Sequence, residues 1–195
     1  GNKVLLNIVI EQRTTREFEF GIEELRIRNK NILKEYTIRE EMFKLTLKGR
    51  TATLAAITKQ QIVPYIDVLD MGDGNGHRNV SILSLGNNVV LSESPALNIY
   101  VETIATYSID SNRILLTNID TNLIYSIQNE TFNMRLVGLS ADISDTDISE
   151  MKFYVNVQDL REGVHMVDVI VKDVNLPENV RFYEDMQVAV EITAP

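Results

Sequence analysis

Residues 132–138 read FNMRLVG, and residues 43–49 read FKLTLKG. In both segments apolar and polar side chains alternate up to a closing glycine. A period of two is typical of a strand with one buried and one exposed face. The segments lie 89 residues apart, and their likeness indicates that one β unit occurs twice in the chain.

Two further matches follow in the same order. LNIVIE at 6–11 returns as LNIYVE at 97–102, and YIDVLD at 65–70 returns as YVNVQD at 154–159. Matches in a constant order and at a nearly constant spacing predict an internal repeat of about 90 residues, the size of a small domain.

We therefore predict two homologous tandem domains, at 13–102 and 103–193, in an elongated arrangement. Residues 2–12 match the end of a unit, and we predict that they are the closing strand of a preceding repeat. The chain does not begin with Met, so we expect it to be a piece of a longer protein.

The predicted fold class is all-β, with short, twisted and mainly antiparallel sheets and no parallel βαβ unit. Two stretches are predicted as short helices or irregular connections, at 51–61 and 140–150. The predicted strands are FEFGIEELRIR (18–28), FKLTLKG (43–49), VSILSL (80–85), LNIYVE (97–102), FNMRLVG (132–138), FYVNVQD (153–159), VDVIVKD (167–173) and MQVAVEI (186–192).

Composition excludes several classes of protein. The chain has 195 residues, of which 44% are hydrophobic, so it can bury a core. Its net charge of −9 opposes binding to nucleic acid or to an anionic membrane. It has no cysteine, which excludes thiol catalysis, zinc–thiolate sites and disulfides. No apolar run approaches the ~20 residues of a membrane-spanning helix.

DMGDGNGH at 70–77 could be a calcium loop or a turn. An EF-type loop needs a glycine at its sixth position and a glutamate at its twelfth. Counted from Asp73, these positions hold Arg78 and Ser84, and counted from Asp70 the sixth is Asn75. We therefore interpret the stretch as a hairpin turn, matched in the second unit by DLREGVH at 159–165.

An acidic cluster and two histidines complete the candidates for chemistry. The cluster, interpreted as a solvated connection, comprises Asp142, Asp145, Asp147 and Glu150. His77 and His165 are the only histidines, and we predict that they occupy equivalent turns and cap them. A pH-sensing role is the alternative. We assign no catalytic, cofactor-binding or metal-binding residue, because nucleotide-binding, hydrolase and metalloprotease motifs are absent from the sequence.

The order of strands and turns resembles the YbbR domain family over nearly the whole chain. In the second unit the residues that carry the resemblance are Met134, Leu136, Gly138, Val155, Val157, Asp159, Gly163, His165, Val167, Val169, Val171, Leu176, Pro177, Asn179, Val180, Val188, Val190 and Ile192. In the first unit they are Leu45, Leu47, Gly49, Ile66, Asp67, Val68, Gly76, His77, Asn88 and Val89.

The resemblance implies a non-catalytic module on the extracytoplasmic face of the membrane of a Gram-positive bacterium. It implies an N-terminal membrane anchor outside this chain and a protein partner, a membrane diadenylate cyclase that makes cyclic di-AMP. It implies no cofactor and no nucleic-acid partner. Two alternatives stay open: a structural spacer or envelope stalk, and an enzyme built on the acidic turns. We expect exposed strand edges to provide the contact surfaces.

Overall fold

The computed structural model of the chain describes residues 12–86, 88–172 and 174–195. Strands and turns dominate, and the two α-helices are one or two turns long. The predicted all-β class is therefore confirmed. The strand predicted at 2–12 lies, apart from Gln12, outside the described residues.

The chain divides into two compact units. Unit 1 takes the described residues up to Asn31 together with Tyr36–Val101, and unit 2 takes Ile32–Glu35 together with Glu102–Pro195. The elements before the division are β1 (Arg13–Gly21), β2 (Arg26–Arg28), β3 (Lys34–Ile38), β4 (Met42–Arg50), α1 (Thr51–Ala56), β5 (Pro64–Asp67), β6 (Gly74–Asn79), β7 (Ser81–Ile82) and β8 (Val90–Glu93). Strands β3 and β9 (Ala96–Asp110) contribute residues to both units.

Unit 1 contains three groups of paired strands. Strand β4 pairs with β1 and β8 on either side, antiparallel to both. Strand β5 pairs antiparallel with β7 and parallel with β2. Strand β6 pairs antiparallel with the first part of β9.

Unit 2 repeats this plan with a more continuous sheet. Its further elements are β10 (Ile114–Thr117), β11 (Ile124–Ile127), β12 (Thr131–Gly138), α2 (Ser140–Ser144), β13 (Lys152–Asn156), β14 (Gly163–Lys172), β15 (Arg181–Phe182) and β16 (Gln187–Thr193). Five of the strands form one sheet in the order β10-β13-β14-β16-β11, and β12 pairs with β9 and β15.

The pairing register relates the two units position by position. Thr14 lies opposite Gly49 in unit 1, and Thr103 lies opposite Gly138 in unit 2. Both members of the pair are shifted by 89 residues. The same shift relates the left-handed residues Asn29 and Asn118, and also Asp70 and Asp159. The shift is 91 residues in the segment that contains β8 and the first part of β9. Gly74 lies opposite Val101 in unit 1, whereas Gly163 lies opposite Ile192 in unit 2.

Alternating strand residues build one core in each unit, as the period of two predicts. Phe20 stacks on Phe43 at 5.5 Å between ring centroids in unit 1. In unit 2, Phe132 meets Phe153 edge to face at 5.3 Å. Each short helix closes its core with one buried side chain, Leu54 in α1 and its equivalent Ile143 in α2. Each helix begins two residues after an equivalent glycine, Gly49 before α1 and Gly138 before α2.

Three predicted strands are shorter than expected, and the one predicted at 153–159 ends at Asn156. The strand at 18–28 is broken by a 3₁₀ turn at Ile22–Glu24, where two successive glutamates interrupt the alternation. Glu24 caps this turn by accepting a hydrogen bond from the Gly21 N–H at 3.0 Å. The strand predicted at 80–85 keeps only Ser81–Ile82, which pair with β5.

The two parallel pairs, β2 with β5 and β10 with β13, were not predicted. Each crossover between the parallel strands contains two further strands and a short helix, so neither is a simple βαβ unit. Sequence alternation could not indicate them, because it shows which face of a strand is buried but not the direction of its neighbour.

Candidate interaction surface

The segment at 70–77 is a turn that leads into a strand, but the prediction of a hairpin is wrong. The strand before it, β5, pairs with β2 and β7, whereas the strand after it, β6, pairs with β9. The turn therefore carries the chain from one group of strands to another. Asp70 adopts φ 56° and Gly74 φ 89°, both left-handed values that this change of direction uses.

The equivalent turn in unit 2 has left-handed residues at the same positions. Asp159 adopts φ 61° and Gly163 φ 130°. The strand that follows, β14, first pairs with β16 and then, in its second half, with β13. The strands before and after DLREGVH thus pair antiparallel with each other, and the hairpin prediction is confirmed for unit 2, with a long connection between the paired residues Val155 and Val169.

The predicted equivalence of the two histidines is also wrong. Gly74 corresponds to Gly163 in the register, so His77 corresponds to Met166 and not to His165. A shift of one residue turns a side chain to the opposite face of a strand. His77 is exposed, whereas His165 is partly buried and its Nε2 lies 2.7 Å from the carbonyl oxygen of Arg161. The turn-capping role predicted for the ring is confirmed for His165.

An acidic side chain anchors the turn of unit 1, and an amide replaces it in unit 2. The Asp67 carboxylate accepts hydrogen bonds from the Asn29 side chain at 2.9 and 3.0 Å and from the Leu69 N–H at 2.9 Å. These donors lower the pKa of Asp67 below its ordinary value, and the Asn29 side-chain amide has the largest effect. In unit 2, Asn156 accepts the corresponding bonds from Asn118 and from the Gln158 N–H.

The acidic cluster at 142–150 is a connection that bonds to itself. Asp147 accepts a hydrogen bond from the Ser149 N–H at 2.8 Å, and the Ser149 side chain and N–H lower the pKa of Asp147. Asp142 lies in α2, and its carbonyl oxygen accepts a bond from the Thr146 hydroxyl. Within the described part of the chain, no group of three or more acidic or histidine side chains is placed to hold a metal ion.

The solvent-facing side of the five-stranded sheet in unit 2 is rich in apolar side chains. Leu115, Tyr154 and Ile170 lie directly opposite one another on three neighbouring strands and form a row. Leu115 is 53% exposed and Ile170 48% exposed. Farther along β14, Met166 lies opposite Ala189 and is 63% exposed.

We define this surface as the outer face of unit 2. It comprises Leu115, Tyr154, Val164, Met166, Ile170 and Ala189. The Asp168 carboxylate accepts a hydrogen bond from Gln187 at 2.7 Å, and this pair separates the row from the remaining members. Lys172 lies at one end, with its Nζ 4.8 Å from the centre of the Tyr154 ring.

At the positions equivalent to these six residues, unit 1 carries mostly polar side chains. By the same register its residues are Arg26, Tyr65, Asn75, His77, Ser81 and Asn98. Only the tyrosine is shared between the two surfaces. Because both surfaces have the same backbone pairing, the strand architecture does not account for the apolar character of the outer face of unit 2. Exposed apolar surface of this kind is a mark of interaction sites.

Sequence reasoning missed this surface, although the signal was present. The difference emerges only when the two units are aligned by a shift of 89 residues, or 91 in the last segment, and alternate positions are compared. Aligning His77 with His165 shifts the comparison by one residue and sets buried positions against exposed ones. No helix within residues 12–86, 88–172 and 174–195 has the length and apolar character needed to cross a membrane.

Two solved structures are similar to this chain. One is a YbbR-like protein from Streptococcus pneumoniae, with 11% identity, coverage of 97% of this chain and 100% of that chain, and a TM-score of 0.42. The other is the YbbR-like domain of a Listeria monocytogenes protein, with 18% identity, coverage of 48% and 93%, and a TM-score of 0.34. Both bear the name of the family that the motif order resembles. No protein-family model and no curated protein matches this chain.

Proposed function

We propose that this chain is a non-catalytic module that binds a protein partner through the outer face of unit 2. The observation that carries the proposal is the contrast between this face and its polar equivalent in unit 1. Removing apolar surface from water stabilises a complex by roughly 25 cal/mol per Å² of area buried. A partner that covers Leu115, Met166 and Ile170 gains this term, and one that covers Arg26, His77 and Ser81 does not.

We further propose that the partner is a membrane diadenylate cyclase, and that the module regulates the synthesis of cyclic di-AMP from the extracytoplasmic side. The motif order shared with YbbR domains supports this choice of partner. The net charge of −9 supports a protein partner over nucleic acid or an anionic lipid surface. An anchor preceding this chain would hold the module next to a membrane enzyme.

Cyclic di-AMP output tests both parts of the proposal. The full-length parent protein is expressed with the membrane cyclase of its own organism in a host that lacks the nucleotide. It is compared with a form that lacks residues 2–195 and with the double variant Met166→Lys, Ile170→Lys. The double variant His77→Lys, Ser81→Lys places the same two charges at the equivalents of Met166 and Ile170 and is the matched control.

We expect the deletion and the double variant of unit 2 to change the nucleotide level in the same direction, and the control His77→Lys, Ser81→Lys to leave it unchanged. An unchanged level after the deletion would reject the regulatory role and favour the structural spacer. A change on deletion that the double variant of unit 2 does not reproduce would reject the outer face of unit 2 as the contact surface while keeping the regulatory role.

A further inference from the structure

A cleft in unit 2 lies between the two edge strands of the five-stranded sheet. Strands β10 and β11 are the first and last in the sheet order, and both line one cavity of about 650 Å³. Ile114 and Leu116 line it from β10, and Tyr125 and Ile127 line it from β11. The sheet therefore brings its two edges to one cleft, which these four side chains line together with polar residues.

The backbone at both edges of the cleft is available for pairing. The Thr117 carbonyl accepts a hydrogen bond from the Val157 N–H. Backbone groups of alternate residues in β10 therefore point toward β13, and those of Leu116 point away from it. The Gln128 N–H donates a hydrogen bond to the Ala189 carbonyl. By the same alternation, the backbone groups of Tyr125 and Ile127 point away from β16. Among the described residues, no strand pairs with the outer edge of β10 or of β11.

Unit 2 carries a smaller side chain at this cleft than unit 1 carries at the equivalent position. Ser111 lines it and is 94% buried, since its exposed fraction is 6%. Its Oγ has no hydrogen-bond partner among the described residues. The equivalent residue in unit 1 is Ile22, whose N–H bonds to the Glu41 carbonyl just as the Ser111 N–H bonds to the Glu130 carbonyl. The larger Ile22 side chain packs against the core of unit 1.

The rim of the cleft is acidic. Asp110 and Glu130 are exposed and line its open end, beside the amides of Asn112 and Asn129. No Lys or Arg is among the residues that line the cleft. An extended segment that binds here contacts apolar side chains inside the cleft and carboxylates at its rim. Because successive side chains of a strand point in opposite directions, alternate residues of the segment contact these two environments.

We propose that this cleft takes up an extended peptide segment of a protein partner in which apolar and basic residues alternate, by addition of a strand to the edge of β10 or β11. Main-chain hydrogen bonds supply affinity in this mode, and pockets for alternate side chains supply specificity. The apolar residues fill the space beside Ser111, and the basic residues meet Asp110 and Glu130. The inference rests on the proposed role in protein binding and specifies the kind of segment recognised.

Direct peptide binding tests the inference. The probe is a peptide of about seven residues, a common strand length, with the sequence Lys-Val-Lys-Val-Lys-Val-Lys and blocked ends. Binding to the whole chain is measured by isothermal titration calorimetry. Two comparison peptides separate the contributions: one has glutamate in place of lysine, and the other has N-methyl groups on alternate residues that remove main-chain donors.

The protein variants use unit 1 as a template. Ser111→Ile introduces the residue that unit 1 carries at this position, and we expect it to weaken binding of the lysine peptide at least about tenfold. Glu130→Gln is expected to weaken it less, because the charge is exposed and screened by salt. Glu41→Gln, the equivalent change in unit 1, serves as the control and is expected to leave the dissociation constant unchanged.

Three outcomes would overturn the proposal: no binding of the lysine peptide, equal binding of the N-methylated peptide, or undiminished binding by Ser111→Ile. Circular dichroism of each variant confirms that the fold is kept. The result is separable from the test of the proposed function. Cyclic di-AMP output can respond to the deletion of residues 2–195 while the peptide fails to bind, which rejects the cleft alone.

Discussion

Arg181 and Glu102 form a two-pronged ion pair in unit 2. Nη1 of Arg181 lies 2.6 Å from Oε1 of Glu102, and Nη2 lies 2.9 Å from Oε2. The Glu102 side chain is only 6% exposed, whereas that of Arg181 is 52% exposed. Nη2 also lies 2.9 Å from Oε2 of Glu35. One guanidinium thus neutralises a carboxylate that the fold has taken out of water.

Removing the arginine should destabilise unit 2 markedly. In the variant Arg181→Ala the Glu102 carboxylate stays buried without its cation, which costs several kcal/mol in fully buried pairs. Because Arg181 is half exposed and water can partly replace it, we expect a loss of roughly 2–3 kcal/mol. Urea unfolding followed by hydrogen exchange at unit 2 amides measures it.

The double variant Arg181→Leu, Glu102→Leu serves as the control for the ion pair. Replacing both charges by apolar side chains removes the uncompensated carboxylate, and we expect it to recover most of the lost stability. The exposed pair of Lys44 and Glu17, at 2.9 Å, provides a second comparison. If Glu17→Ala lowered stability as much as Arg181→Ala, burial of the carboxylate would not be the cause.

Acid should loosen the turn of unit 1 before that of unit 2. The pKa of Asp67 is lowered in the folded chain, chiefly by the Asn29 side-chain amide. The stabilisation is therefore present above the ordinary pKa of 3.8 and is lost as the pH falls from there through the folded pKa. We expect the amide signals of Asn29 and Leu69 to shift with acid in an NMR titration.

Unit 2 provides the internal control for this titration. Asn156 occupies the position of Asp67 and holds Asn118 and the Gln158 N–H without an ionisable group. The signals of Asn118 and Gln158 should stay constant over the same range, and Asp67→Asn should abolish the response in unit 1. Equal shifts in both turns would point to general unfolding in acid instead.

The equivalent glycines Gly49 in β4 and Gly138 in β12 should differ in their tolerance of a methyl group. A Cβ on Gly138 would lie 2.8 Å from the Asn179 carbonyl oxygen, a backbone atom that cannot turn aside. On Gly49 it would lie 3.2 Å from a methyl group of Val89, a side chain that can adjust. We expect Gly138→Ala to cost about 1–3 kcal/mol and Gly49→Ala to stay within about 0.5 kcal/mol of zero. Thermal unfolding of both variants measures the difference, and an equal cost would contradict the close backbone approach at Gly138.

Filling the space at Ser111 should stabilise unit 2. The buried Ser111 hydroxyl has no hydrogen-bond partner within residues 12–86, 88–172 and 174–195, and such a group costs about 1–3 kcal/mol relative to a bonded one. Ser111→Ile removes it and adds apolar surface, so we expect a gain of about 1 kcal/mol in the free energy of unfolding. The reverse change, Ile22→Ser, should destabilise unit 1. A loss of stability in Ser111→Ile would mean that isoleucine does not fit beside Ile114.

The sequence allowed most strands to be predicted, because burial of one face imposes a period of two wherever a strand packs on a core. It missed the break at Ile22–Glu24, where a local cap competes with the strand. It also misassigned the turn at 70–77, because the hairpin interpretation assumed that strands adjacent in sequence pair with each other. Sequence comparison missed the outer face of unit 2, because His77 was aligned with His165 and not with Met166, an error of one residue in the alignment.

By itself, the sequence determined the β class, the duplication, and the glycine and aspartate positions where the chain reverses direction. These are local properties: alternation follows from one-sided burial, and left-handed backbone favours residues such as Gly74 and Asp70. Only the tertiary structure decided which strands pair, in what direction and in what register. Strand pairing joins residues far apart in the chain, and a slip of one residue exchanges the buried and exposed faces, so the position of Met166 on the outer face depends on contacts that no local pattern specifies.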